Sequence, residues 1–207
     1  MHGEGSTFFE DLQLLADAQV HPVVVAPEAP VAREIVRIVN RSTSCAVALS
    51  GSDAAMLPQS AAGIGKVQTG ILRTLMDGGY IPVIEPTGFS VFAPDDPTLL
   101  PDEVASAIAS ALDAIRAIFF HTSGGVIDPL TAAIIEELTP AEALTLADDP
   151  STPQDLRPAI RAAALVVRGG VAAAQIVDGR IPHATVVELL TSQHVGTQVT
   201  GSILFAA

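Results

Sequence analysis

A single lysine, Lys66, a single cysteine, Cys45, and no tryptophan occur in 207 residues. Acids outnumber bases by 23 to 10, a net charge of −13. That balance excludes a phosphate-tracking nucleic-acid surface, which needs clustered Lys and Arg. It also leaves few cations for phosphoryl transfer, where positive groups neutralise charge building on the transferred phosphoryl. One cysteine excludes an internal disulfide and a cysteine-based metal cage. Although 49% of residues are apolar, no run nears the roughly 20 residues needed to cross a bilayer, so no membrane partner is expected. The opening stretch, MHGEGSTFFEDLQLL, has no basic n-region and places acids among its apolar residues, unlike a signal peptide. A soluble cytoplasmic protein is expected, and the length suits one domain spanning 1–207.

Apolar strand-like runs alternate with helix-period segments, the pattern of a parallel sheet covered on both faces. The expected strands are Val20–Val25, Cys45–Ser50, Tyr80–Glu85, Ala117–Thr122, Ala173–Val177 and Gln198–Phe205. Phe9, Leu12 and Leu15 recur at helical spacing. So do Val31, Ile35, Val36 and Val39, with Arg33, Glu34 and Arg37 among the polar positions. Asp102 precedes a third expected helix, with Val104, Ile108, Leu112 and Ile115 on one face. Thr139-Pro140-Ala141-Glu142 predicts a capping box, with proline at the first helical position. A further helix is expected over Pro158–Arg168, stopped by Gly169-Gly170. Ala93–Pro97 and Asp148–Pro153 are turn-rich loops, too short for domain linkers.

Several segments, in order, resemble the acetylglutamate kinase pattern of the amino-acid kinase family. Phe8–Leu12 leads to His21–Val25, followed by Ala46–Asp53 and Gly78–Ile84. Glu137–Ala143, Arg168–Val171 and Ile176–His183 carry the strongest likeness, which continues through Glu188–Thr191 and Val195–Thr197. The resemblance implies a three-layer α/β/α sandwich with a mainly parallel central sheet, its first strand and substrate lid reduced. Function does not follow from fold alone.

Motif by motif, the resemblance implies a degenerate site. The family's opening Lys-x-Gly-Gly turn has no counterpart, and His2-Gly3-Glu4-Gly5-Ser6 lacks the preceding strand that a phosphate loop needs. Where the family has His-Gly-Gly-Gly, this chain reads Ala26-Pro27-Glu28-Ala29. Proline removes an amide donor, and glutamate adds negative charge where phosphate would sit. Pro30 runs directly into Val31–Val36, without the substrate-binding segment found there in the family. Ser52 replaces the lysine of Ser-Gly-Lys-Asp, and His121-Thr122 replaces a Thr-Asp pair. Ala159 stands at the catalytic lysine position, with Arg157 nearby but pointing roughly 100° away on a helix. No catalytic residue is assigned. The remnants of a cofactor site are Gly51, Asp53, Asp102 and Pro158.

Asp178, Arg180 and His183 form either a site of their own or a strand-to-helix turn; both readings stay open. The histidines, His2, His21, His121, His183 and His194, show no metal-ligand spacing, so no metal site is assigned. Ser50-Gly51-Ser52 is not a nucleophile elbow, and Cys45 reads as a small core residue. The sequence is thus read as a catalytically inactive relative serving in binding, regulation or assembly. It is expected to be a homodimer or to have a protein partner, with no cofactor. A small-carboxylate kinase with a rebuilt site, needing ATP and Mg, is one alternative. A protein that binds or stores an anion or small ligand is another.

Overall fold

Buried strands followed by amphipathic helices return the chain to parallel sheets. The computed structural model describes residues 6–92, 95–128, 131–190 and 195–201. The chain divides into two compact units, Phe9–Ala111 and Leu112–Ala207 with Met1–Phe8. Each has its own sheet.

Helix α1 (Ser6–Asp17) buries Leu12 and Leu15. Its exit is tight: Gln19 has φ 61°, and Val20 N–H donates back to Leu15 O at 2.9 Å. With Pro22 unable to donate, the strand expected over Val20–Val25 shrinks to β1 (Val24–Val25). Helix α2 (Ala29–Val39) follows, burying Ala32, Ile35 and Val39 against β2 (Ala46–Ser50) and β5 (Ile81–Glu85). Of its expected apolar face, Val31 and Val36 remain half-buried.

A 3-10 turn (Asp53–Ala55) and a hairpin, β3 (Gln59–Ser60) and β4 (Gly63–Ile64), come next. With two residues per strand, this hairpin matches the shortened lid expected after Gly51-Ser52-Asp53. Helix α3 (Gly70–Asp77) leads into β5. The sheet order is β1-β5-β2, all parallel. The crossovers β1–α2–β2 and β2–α3–β5 run in opposite directions along this sheet. The right-handed crossover rule therefore puts α2 and α3 on opposite faces.

Strand β2 lies at the edge. Its odd residues face β5, since Ile81 N–H donates to Cys45 O, so Ala46, Ala48 and Ser50 turn their amides outward. Asn40 clasps Ala46: its Oδ1 accepts from Ala46 N–H at 2.7 Å and its Nδ2 donates to Ala46 O at 2.9 Å. Cys45 precedes the strand rather than opening it. It is half-buried, with Sγ 2.9 Å from Thr43 Oγ1. Helix α4 (Pro101–Ala111) ends before the expected Leu112 and Ile115. Asp113 turns the chain at φ 55°, leaving Ile115 exposed.

In the other unit the order is β6-β8-β9-β7, from β6 (Arg116–Phe120), β7 (Glu137–Leu138), β8 (Ala173–Val177) and β9 (Thr197–Thr200). β6 and β8 are parallel, as are β7 and β9, while β8 and β9 are antiparallel. Residues 202–205 of the expected last strand lie outside the described residues. Thr139 caps α5 (Pro140–Asp148) in a full capping box with Glu142. Helix α6 (Arg157–Arg168) buries seven of its residues and packs on α5 and β8. It stops at Gly169, with Gly170 at φ 109°. Helix α7 (Ala184–Leu190) follows β8. No described helix is long and apolar enough to cross a membrane.

Candidate functional site

In open α/β sheets, ligands bind beyond the carboxyl ends of the parallel strands. In the Phe9–Ala111 unit those ends lead into Ala26, Gly51 and Pro86. Ala26 is fully buried and donates its N–H to Ile84 O. Glu28 is the N-cap of α2 without any side-chain cap bond, and Pro30 occupies the first turn. A helix N-terminus attracts anions through free amides and its positive dipole end. Here Pro30 removes a first-turn amide, Pro27 gives none just before the N-cap, and the exposed Glu28 adds negative charge at this end. Glu85 closes β5, its side chain 13% exposed, with Arg33 Nε 3.5 Å away.

The end of β2 is a hydroxyl cluster. Ser50 Oγ lies 2.7 Å from Thr87 Oγ1 and 3.0 Å from Ser52 Oγ. Gly51 N–H donates to Thr87 Oγ1 at 3.3 Å, and Ser50 N–H to Asp53 Oδ2 at 2.8 Å. A Cβ on Gly51 would sit 1.7 Å from Thr87 O. Glycine is required there by protein packing, before any ligand is considered.

In the second unit, β6 and β8 lead into His121 and Asp178. Asp178 is gripped by Arg180, whose Nε and Nη2 both donate to it, and by the Arg180 main-chain N–H. These bonds hold its carboxyl down at about 2. Arg180 Nη2 also donates to Thr122 O at 2.8 Å, tying the two strand ends together. His183 has φ 57° immediately before α7. The Asp178–His183 stretch thus serves as the strand-to-helix turn.

The remnants divide between the units. Gly51 and Asp53 come together at the hydroxyl cluster; Asp102 lies in the first turn of α4 in the same unit. Pro158 is the second residue of α6, in the other unit. Ala159 is 3% exposed and faces the core. Arg157 donates to Thr152 O and Pro150 O at 2.9 and 3.0 Å. Lys66 is exposed beside the β3–β4 hairpin. Glycine-rich residues 2–5 and His194 lie outside the described residues. Among the described residues no group of His, Cys, Asp and Glu could hold a metal.

Sequence reasoning missed Thr87, which is 36 residues from the glycine it constrains, and a second polar cluster at the end of β6. There Ser123 Oγ is 2.8 Å from His121 Nδ1, and Asp155 Oδ2 is 3.4 Å from Nε2. His121-x-Ser123 was visible in the sequence. Asp155 lies 34 positions further on, and nothing local points to it.

The amino acid kinase family profile matches residues 42–178. The acetylglutamate kinase of Campylobacter curvus is 32% identical over 209 residues, covering 95% of this chain and 72% of that protein. N-acetylglutamate synthase from Neisseria gonorrhoeae, solved with coenzyme A and N-acetyl-glutamate, superposes with TM-score 0.78 at 20% identity. That match covers 98% of this chain but only 57% of the synthase. Carbamate kinase from Giardia lamblia gives 0.69 at 11% identity, with 94% and 88% covered. These superpositions carry the amino-acid kinase-like α/β fold, with its mainly parallel strands. With a family profile over most of its length and a one-third-identical acetylglutamate kinase beside it, the chain belongs to the amino acid kinase family.

Proposed function

We propose that this protein no longer phosphorylates acetylglutamate and serves as a binding, regulatory or assembly module built on the kinase fold. The observation that carries this is the entry to α2. Glu28 supplies a carboxylate at the N-cap and Pro27 and Pro30 supply no amide, where a transferring phosphate needs preorganised donors. The residues present do not fit Mg-ATP: Arg180 is spent on Asp178, Arg157 on loop carbonyls, and Ala159 offers no cation. No cofactor is assigned.

The test is a coupled assay of ADP release with N-acetylglutamate and Mg-ATP, run beside a thermal melt at millimolar nucleotide. We expect no turnover above blank and no shift in melting. Ligand at 100 times its dissociation constant would stabilise by about 2.7 kcal/mol, which a melt registers readily. Saturable turnover would establish a rebuilt kinase site instead.

The same reading places the protein in the cytoplasm as a homodimer, with the half-buried Val31 and Val36 of α2 at the contact. A monomer in sedimentation at micromolar concentration would remove the assembly part of it.

A further inference from the structure

The cluster at the end of β6 has the connectivity of a nucleophile relay. Ser123 N–H donates to His121 Nδ1 at 3.1 Å, so Nδ1 carries its lone pair and the ring proton sits on Nε2, with Asp155 Oδ2 3.4 Å from that nitrogen. In that tautomer the same lone pair lies 2.8 Å from Ser123 Oγ, within proton-transfer reach. The hydroxyl proton has a second acceptor, Gly125 O at 2.7 Å. Gly125 N–H points at Oγ from 3.5 Å, a main-chain dipole favouring negative charge on that oxygen.

The turn holding these groups is fixed. Gly124 N–H donates to His121 O at 3.0 Å, and Val126 N–H to Thr197 Oγ1 at 2.7 Å. Gly125, at φ 155°, has Ile134 and Thr197 within 2.8 Å of where a Cβ would be. His121 is 16% exposed and Asp155 74%; Ser123 is half-buried. The hydroxyl is therefore held in place on a residue that is only partly covered. Activation of a serine by an oriented imidazole is recognised by geometry and roles, independent of fold or residue order.

We propose that Ser123 is an activated nucleophile, with His121 as its general base and Asp155 as the positioning carboxylate, and that it accepts acyl groups from small activated esters. In the acylation step the Ser123 Oγ–H proton passes to His121 Nδ1 while Oγ bonds the carbonyl carbon. The ester C–O bond then breaks, and the leaving alcohol takes the proton from His121. Water reverses the sequence: it gives a proton to His121, attacks the acyl carbon and releases a carboxylic acid, and the proton returns to Oγ. The turn's amides are committed to His121 O and to Oγ itself, so donors whose leaving groups depart readily suit the site.

The experiment treats the full chain with p-nitrophenyl acetate and, separately, with a fluorophosphonate, locating adducts by peptide mass spectrometry. We expect one adduct, on Ser123, absent in Ser123→Ala. His121→Gln should slow labelling about 100-fold or more, the usual share of general base catalysis. Asp155 is mostly exposed, so Asp155→Asn should keep the wild-type melting temperature yet label more slowly, with Asp155→Glu recovering most of the rate. Labelling spread over other residues, or equal rates in the wild type and in a folded His121→Gln, would overturn the proposal. So would no labelling by either reagent. None of these outcomes alters the kinase assay above.

Discussion

Two sets of parallel strand ends have been treated differently. At the ends of β1, β5 and β2 the chain places Glu28, Glu85 and Asp53 in turn, with a knot of hydroxyls beside Asp53. At the ends of β6 and β8 it keeps a guanidinium, but turns it onto a neighbouring carboxylate and a carbonyl. Under the proposed function, the first edge would turn phosphate away by sign of charge and the second by occupancy. On that reading a fold can outlast its chemistry by two routes. An anion site can be filled with acids, or its cation can be satisfied internally so that burial and hydrogen bonding still close.

The largest effect should come from the first edge. Gly51→Ala drives a Cβ into Thr87 O, and we expect about 3 kcal/mol of destabilisation or more, read by urea unfolding. A loss under about 1 kcal/mol would mean the hydroxyl knot yields easily, and the contrast between the edges would fade. In the second unit, Ala159→Lys buries an ammonium in the α6 core. We expect a loss of about 3 kcal/mol and no gain of kinase activity, since one cation does not recreate missing amide donors.

Thr139→Ala removes the capping box of α5, at a cost of about 1 kcal/mol, measurable as a lower denaturation midpoint. The smallest effect belongs to the Asp178–Arg180 pair. Asp178 is held at about 2 against an ordinary 3.8. A depressed carboxyl stabilises the folded state at pH above its ordinary value, and that gain is lost as pH falls through about 2. Arg180 is 61% exposed, so the pair should contribute less than about 1 kcal/mol and weaken with salt. Melting curves of wild type and Arg180→Ala should differ slightly at neutral pH and converge toward pH 2. A gap that stays constant down to that pH would assign the effect of Arg180 to its bond with Thr122 O instead.

What was legible in the sequence was local. Thr139 and Glu142 are three residues apart, and Gly169-Gly170 ends a helix by its own backbone freedom, so both signals survive folding unchanged. Val20–Val25 misled because its apolar content outweighed Pro22 and the left-handed turn at Gln19. Leu112 and Ile115 continued the α4 period past the point where Asp113 ends it. The site was legible as departures from a familiar motif, and illegible wherever function depends on residues far apart. Gly51 reads as a motif remnant until Thr87 O appears beside it. His121-x-Ser123 reads as a strand end until Asp155 comes within reach of its ring.

The clasp of Asn40 on Ala46 has a bearing on solubility. An uncovered parallel edge is a template on which another chain can build, and proteins guard such edges. Of the three outward amides of β2, Ala46 is held by Asn40 and Ser50 by Asp53, which leaves Ala48 between two blocked positions. A foreign strand arriving there would find one amide where it needs a ladder. Asn40 and Asp53 therefore act as edge guards, protecting a strongly apolar strand from fibril-like growth.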